Sequence, residues 1–295
     1  MTKALRKNTR RSISGSLGRY IAILLIIMLG VAFLTGLRDT RPIMSATETA
    51  YVKNTKLYDL RLISTIGFDA DFPPYGYIDE NGEYIGFDLD LAAEVCTRRG
   101  WTLKLSPIDW NSKDFELESG AIDCIWNGFT MNGREELYTW TGAYMDNSQV
   151  FVTRAADGLT TFADLAGKVV TVQADSSCEA ALNDEENPDA IALRDSFASL
   201  EKCAEYNTAF MELESGAVDA IGMDIGVAKY QIEGREDQFV IMEEPLQSEQ
   251  YGVGFKLGNT ELRDQVQETL LEMVKDGTFA KISEKWFGYD VCTLG

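Results

Sequence analysis

The sequence contains no histidine. That absence removes both the commonest general base and the commonest metal ligand. Cysteine is scarce too. Cys96, Cys124, Cys178, Cys203 and Cys292 show no C-x-x-C spacing, so neither a zinc site nor a thioredoxin-like motif is indicated. Their odd number leaves at least one thiol free. Basic residues are few, with 27 Lys and Arg against 47 Asp and Glu, a net charge of −20 in 295 residues. Residues 1–41 hold eight of the basic side chains and one acid, leaving the remainder at 19 basic against 46 acidic, or −27. A body that acidic repels phosphate backbones, so nucleic acid is not an expected partner. Solubility alone also accounts for such a charge. What is present, 45% hydrophobic and 25% charged residues, is the profile of an ordinary globular protein of one large or two medium domains.

One long apolar run stands out. Lys3, Arg6, Lys7, Arg10, Arg11 and Arg19 precede an uncharged stretch from Tyr20 to Leu37, closed by Arg38. As a helix it would reach roughly 27 Å, enough for a hydrocarbon core. The expectation is a cytoplasmic basic segment (1–19), a transmembrane helix (20–37) and a juxtamembrane linker (38–61). The basic cluster keeps the N-terminus inside and delivers the body to the extracytoplasmic side, as in a single-pass signal anchor of the cell membrane. A cleaved signal peptide is the alternative. Its apolar core is normally about 7–15 residues, and Gly30-Val31-Ala32 is a weak cleavage site. The stretch RRSISGSLGRYIAILLIIMLGVAFLTGLRDTRPIMSATETAYVKNTKLYDLRLIST, over residues 10–65, resembles the start of an FtsX-like ABC permease. Such permeases carry further membrane helices, so the resemblance speaks to topology and not to transport.

Beyond residue 60, short apolar runs alternate with amphipathic stretches, the mark of an α/β organisation. An internal echo is more specific. FELESGAIDCI and FMELESGAVDAI share ELESGA, followed by a β-branched residue and Asp. Each copy reads as a helix end capped by a left-handed glycine (Gly120, Gly216), then a strand starting at Ile122 or Val218. Two lobes of similar build follow from this. Ligands of open parallel sheets sit beyond the carboxyl ends of strands. That singles out Asn127, Gly128 and Thr130 in one lobe and Asp224 in the other. Asn259-Thr260 is expected to cap a helix carrying Leu262, Val266, Leu270, Met273 and Val274 on its core face and ending at Gly277. Cys178 and Cys203 are placed near one sheet edge, where a disulfide between them is one expectation.

The segment GFDADFPPYGYIDENGEYIGFDLDLAAEVCTRRGW reads as a strand, a Pro-Pro loop, a hairpin around Asn81-Gly82, and a helix opened by Asp88. Together with WNGFTMNGREELYTWTGAYMDNSQVFV, VTVQADSSCEAAL, VDAIGMDIGVAKY and DGTFAKISEKWFG, it resembles the polar amino-acid-binding proteins of ABC importers, the bacterial extracellular solute-binding proteins of family 3. The likeness covers about residues 62–290. It implies a two-lobed periplasmic-binding-protein fold of type II, a polar amino acid as ligand, an ABC permease as partner, and neither enzymatic activity nor a cofactor or metal.

A zwitterionic amino acid must exchange water for partners at both charged ends. Arg134 suits the carboxylate, because a guanidinium grips both oxygens in a bidentate fork. In the family an Arg follows the Thr of a T-x-T-x-x-R-like stretch. Here the interval Thr130 to Arg134 is one residue shorter, and a surface pair with Glu135 or Glu136 is the plainer alternative. By the resemblance, Asp224 takes the ammonium, Ser177 adds donors to the carboxylate at a helix start, Phe72 and Trp110 sandwich the side chain, and Asp69 contacts its polar end. Cation–π contact with such rings contributes about 0.5–2 kcal/mol.

The mechanism expected is capture by hinge closure, with lobe 1 formed by residues 62–147 plus 250–295 and lobe 2 by 148–243. The crossings would lie near Tyr144–Ser148 and Glu244–Gln250. Two other readings use the same fold: a membrane-anchored amino-acid sensor, and a cleft enzyme. Without histidine the enzyme would need a positioned Asp, Glu, Cys or Lys, and no second carboxylate paired with a nucleophile is evident in the sequence.

Overall fold

A strand, a ribbon, a helix and a second strand open the described part of the chain, residues 63–295 of the computed structural model. The apolar run Tyr20–Leu37, the permease-like stretch up to residue 62 and the linker lie outside these residues. Among the described residues no helix is long and apolar enough to cross a membrane.

Strand β1 (Ile63–Phe68) leads into a small ribbon of β2 (Asp71–Phe72), β3 (Gly76–Ile78) and β4 (Tyr84–Ile85). Its hairpin turns at Asn81-Gly82 as expected, Gly82 taking φ 84, a conformation that glycine adopts without strain. Helix α1 (Phe87–Arg99), β5 (Thr102–Pro107), α2 (Lys113–Ser119), β6 (Cys124–Ile125) and β7 (Thr139–Trp140) follow. The long β8 (Met145–Arg154) then enters a second sheet with β9 (Val169–Gln173), α3 (Ser177–Leu182), α4 (Pro188–Ser196) and β10 (Ser199–Cys203). Next come α5 (Tyr206–Ser215), β11 (Ala220–Asp224), α6 (Ile225–Ile232) and β12 (Phe239–Ile241). Finally β13 (Gln247–Tyr251), β14 (Gly254–Phe255), α7 (Thr260–Asp276) and α8 (Thr278–Phe287) close the chain.

The first sheet has the order β5-β1-β6-β14-β7 and the second β10-β9-β11-β8-β12, with β13 added on β8. In each, the first parallel strand lies between the other two, β1 between β5 and β6, and β9 between β10 and β11. The sequence echo therefore marks equivalent places. Gly120 and Gly216 take φ 78 and φ 80 at the ends of α2 and α5. The echoed aspartates do the same work: Asp123 Oδ2 accepts from Thr65 N at 2.7 Å and Asp219 Oδ2 from Val169 N at 2.9 Å. Each buckles its helix exit onto the neighbouring strand, so the strands begin at Cys124 and Ala220, two residues later than the apolar pattern suggests.

Two further expectations are corrected. Asp88 does not open α1 as a solvated cap. Gly86 holds the cap position, and Asp88 lies fully buried in the first turn. Cys178 and Cys203 are free thiols. They belong to different apolar clusters, Cys178 with Phe151 and Val172, Cys203 with Val150 and Val152. Alternating β8 residues point to opposite sheet faces, so the two sulfurs are on opposite sides and cannot meet. In α7 the expected stripe holds, with Val266, Leu270 and Met273 buried and Leu262 and Val274 packed at its edge. Asn259 occupies the cap position without a side-chain capping bond.

Candidate functional site

The carboxyl ends of the parallel strands converge where β8 and β13 run from one sheet to the other. These two strands pair antiparallel, Met145 opposite Tyr251 and Asn147 opposite Glu249. A cavity there is lined by Asp69, Phe72, Trp110, Asn127, Gly128, Thr130, Arg134, Gln173, Ser176, Ser177 and Asp224. All nine residues expected from the sequence are thus brought together. Ser176 joins its neighbour Ser177 there, and Gln173 is an addition. Gln173 ends β9, so the strand-end rule that selected Asn127 and Asp224 also reaches it.

Several contacts draw the walls together. Gln173 Nε2 donates to Asp69 Oδ2 at 2.7 Å, and Arg134 Nη2 donates to the Asp175 carbonyl at 3.1 Å. Lys113, almost wholly buried, pairs with Asp175, and Asn207 N donates to Asp71 at 3.1 Å. The free space that remains is narrow, about 20 Å³ open to the centre of a water molecule, where one water needs roughly 10–15 Å³. A solute enters only if these side chains part. A second, wider cavity of about 500 Å³ adjoins it through Asp69 and Trp110 and is lined also by Asp71, Asp109, Glu205 and Asn207.

Arg134 has no carboxylate partner among the described residues, so the surface pair with Glu135 or Glu136 is not formed. Its guanidinium lies over the Phe129 ring at 5.3 Å. The one-residue shorter spacing still delivers it to the cavity, because Arg134 N closes a turn on the Met131 carbonyl. Phe72 is packed near Tyr75 and Tyr206 at 5.6 and 6.0 Å, and Trp110 stands edge-on to Phe129 at 5.4 Å.

Asp224 is buried, and its Oδ1 accepts from Asn147 Nδ2 at 2.7 Å, Gln149 Nε2 at 2.8 Å and Tyr251 Oη at 2.5 Å. Burial, then the Glu249 charge, push its pKa up to about 8. Glu249, which sequence reasoning missed, is also buried. Its Oε1 accepts from Thr130 Oγ1 at 2.9 Å, Asn147 Nδ2 at 2.6 Å, Gln149 Nε2 at 2.8 Å and Ser177 Oγ at 3.3 Å. Asp224 thus has a second buried carboxylate beside it. The Ser177 and Thr130 hydroxyls both donate to Glu249 here, so the donor Ser177 leaves toward the cavity is its backbone N–H at the start of α3. Ser176 caps α3, accepting from Glu179 N at 3.2 Å.

Gly128 is held from behind. Its N–H donates to Asp88 Oδ2, and Asp88 Oδ1 accepts from Tyr144 Oη at 2.9 Å. Burial raises the Asp88 carboxyl to about 7. Desolvation also raises Asp69, against hydrogen bonds from Asp71 N and Gln173 that lower it. The cavity lining thus combines a cation (Arg134), buried carboxylates (Asp69, Asp224) and aromatic rings (Phe72, Trp110). Among the described residues no cluster of His, Cys, Asp and Glu could hold a metal.

Residues 64–289 match the family of bacterial extracellular solute-binding proteins, family 3. The chain belongs to that family. Relatives in it are substrate-binding proteins of ABC transporters, not enzymes. The L-cystine-binding protein TcyJ of Escherichia coli strain K12 is 28% identical over 229 residues, 77% of this chain and 83% of that protein. Among solved structures, an ABC uptake transporter substrate binding protein from Streptococcus pneumoniae with bound histidine is 36% identical with a TM-score of 0.74, covering 79% of this chain and 95% of that one. An ancestral arginine-binding protein bound to arginine is 33% identical with a TM-score of 0.71, covering 77% and 99%. The fold is therefore the mixed α/β, two-lobed fold of solute-binding proteins, and the role is solute binding.

Proposed function

We propose that this protein captures a polar amino acid on the extracytoplasmic side by closing two lobes around it, and hands it to an ABC permease. The observation that carries the reading is the placement of Arg134, which pairs with no carboxylate among the described residues, and buried Asp224 on one small cavity. A guanidinium and a carboxylate match the two charged ends of a zwitterion, and both lose water without penalty only when both are paired. Asn127, Gly128, Thr130 and Ser177 complete the polar wall, while Phe72 and Trp110 flank the side chain and Asp69 meets its end. The acids of the adjoining cavity, Asp71, Asp109 and Glu205, favour neutral or cationic side chains over acidic ones.

Lobe 1 comprises residues 62–147 plus 250–295 and lobe 2 residues 148–243, with β8 and β13 as the hinge. Cross-cleft contacts such as Asp69 with Gln173 form only on closure, so a ligand that touches both lobes shifts the population toward the closed form. The apolar run Tyr20–Leu37, outside the described residues, is the segment this reading assigns to tethering the body to the membrane. The test is a thermal-shift screen of the full chain against the twenty L-amino acids, repeated with Arg134→Ala. A ligand that binds only the native state raises the melting temperature by mass action. A clear rise with a polar amino acid, lost in Arg134→Ala, supports the reading; no rise with any amino acid sinks it.

A further inference from the structure

Asp224 and Glu249 share their donors. Asn147 Nδ2 lies 2.7 Å from Asp224 Oδ1 and 2.6 Å from Glu249 Oε1, and Gln149 Nε2 lies 2.8 Å from both. The two carboxylate oxygens are thus no farther apart than two hydrogen bonds laid end to end. Both side chains are buried, and no Lys or Arg pairs with either among the described residues. Two like charges so placed disfavour joint ionisation.

The cluster also lacks hydrogens. The amide oxygens Asn147 Oδ1 and Gln149 Oε1 are buried with no donor, although both residues sit between the carboxylates. Gln149 Nε2, with two hydrogens, faces three acceptors at 2.8 Å: Ser177 Oγ, Asp224 Oδ1 and Glu249 Oε1. Around the pair stand Thr130 from the β6–β7 connection, Ser177 and the Cys178 thiol on α3, and Tyr251 on β13. Tyr75 from the Pro-Pro loop and Tyr206 on α5 are near enough to feel the Asp224 charge. None of these is a cation; the nearest charge of that sign on the cavity wall is Arg134. An acceptor-rich, buried, doubly acidic cluster calls for added hydrogens with a positive charge.

We propose that Glu249 and Asp224 hold one proton between them while the cleft is empty, and that the ammonium of an entering amino acid replaces it. The empty pair carries a single negative charge. On capture the ligand brings its own ammonium, already protonated in water, the shared proton leaves to solvent, and the pair becomes doubly negative against the new cation. Glu249 acts through Asp224, Thr130 and Ser177 rather than by lining the cavity, so it is a positioning residue. The inference rests on the proposed function, which sets the ammonium at Asp224. The burial that lifts Asp224 to about 8 agrees with it.

Proton release makes affinity rise with pH, about tenfold per unit for one proton, until the empty pair ionises by itself. The test is titration calorimetry of the full chain with L-arginine, and with L-glutamine as a second probe, at pH 6.5 in two buffers of different ionisation enthalpy. The expected result is about one proton released per ligand, with affinity rising from pH 5.5 to 7.5. In Glu249→Gln, where burial alone holds the Asp224 proton, the release and the slope shrink while binding persists. A role in packing alone would change affinity without changing the proton count. Binding with no proton released by the wild type overturns the inference and leaves the proposed function standing. If neither probe nor any other amino acid binds, the proposed function fails, and the release on capture fails with it. Infrared spectra of the ligand-free chain at pH 7 then decide the shared proton separately: a carboxylic-acid band lost in Asp224→Asn and weakened and shifted in Glu249→Gln is expected, and spectra identical in all three overturn it.

Discussion

The Tyr144 hydroxyl donates to Asp88 Oδ1 at 2.9 Å, with both side chains fully buried. Through the other oxygen, Asp88 holds the Gly128 N–H at the cavity wall. One carboxylate thus ties the first turn of α1 to the loop after β6 and to the start of the crossing strand β8. Tyr144→Phe removes one of its donors without changing the shape of the ring. The expected loss is about 1–3 kcal/mol, the usual range when a buried acceptor loses its partner, read from denaturant unfolding of the full chain. An unchanged unfolding midpoint would deny Asp88 this role.

The raised acids give the stability of the ligand-free chain a particular pH dependence. Asp88 titrates near 7 and Asp224 near 8, both chiefly through burial, and Asp71 near 6 for the same first cause. Each keeps its proton in the folded state over a range where the unfolded chain, near 3.8, has already lost it. Stability then falls as pH rises from about 4 and levels above about 8. Melting temperatures across this range should decline, and Asp88→Asn should flatten the part of the decline below pH 7. Acids held low by hydrogen bonds, such as Asp79 and Asp164, act only at the acidic end. A melting temperature that climbs steadily from pH 5 to 8 would contradict the account.

The contrast between Asp224 and Glu249 explains what was legible in the sequence. Asp224 leaves a strand whose preceding helix and glycine repeat those of the first lobe, so a local pattern pointed to it. Glu249 sits on β13, a short strand with alternating exposure and no turn signal. Only the antiparallel pairing of β13 with β8 brings it to Asn147, and such long-range register leaves no mark on a local stretch. Asp88 failed for a related reason. An Asp in the first helical turn looks like a cap, and its burial is decided by Tyr144, 56 positions away. The two α/β halves were readable because ELESGA was repeated. The Cys178–Cys203 expectation failed because strand position was read without the face to which each side chain points.

Gly222 offers a packing test away from the cavity. A Cβ there would lie 2.5 Å from Cys178 Sγ and 3.1 Å from Val172 Cγ1. Gly222→Ala is expected to destabilise by about 1–3 kcal/mol through overpacking. Adding Cys178→Ala removes the closest atom, so the double variant should be more stable than the sum of the two single changes predicts. Strict additivity in unfolding free energy would show that the two positions do not touch.

The central claim is that one zwitterion is held between Arg134 and Asp224. Its most direct test is native mass spectrometry of the full chain equilibrated with an equimolar mixture of the twenty L-amino acids, alongside Arg134→Lys and Asp224→Asn. The account predicts a single added mass, equal to one polar amino acid, on the wild type. It predicts that added mass to be sharply reduced in both variants, because a lysine cannot reproduce the bidentate fork and an asparagine cannot balance an ammonium. A wild-type spectrum showing only the bare chain, or an adduct equally abundant in all three proteins, would contradict it.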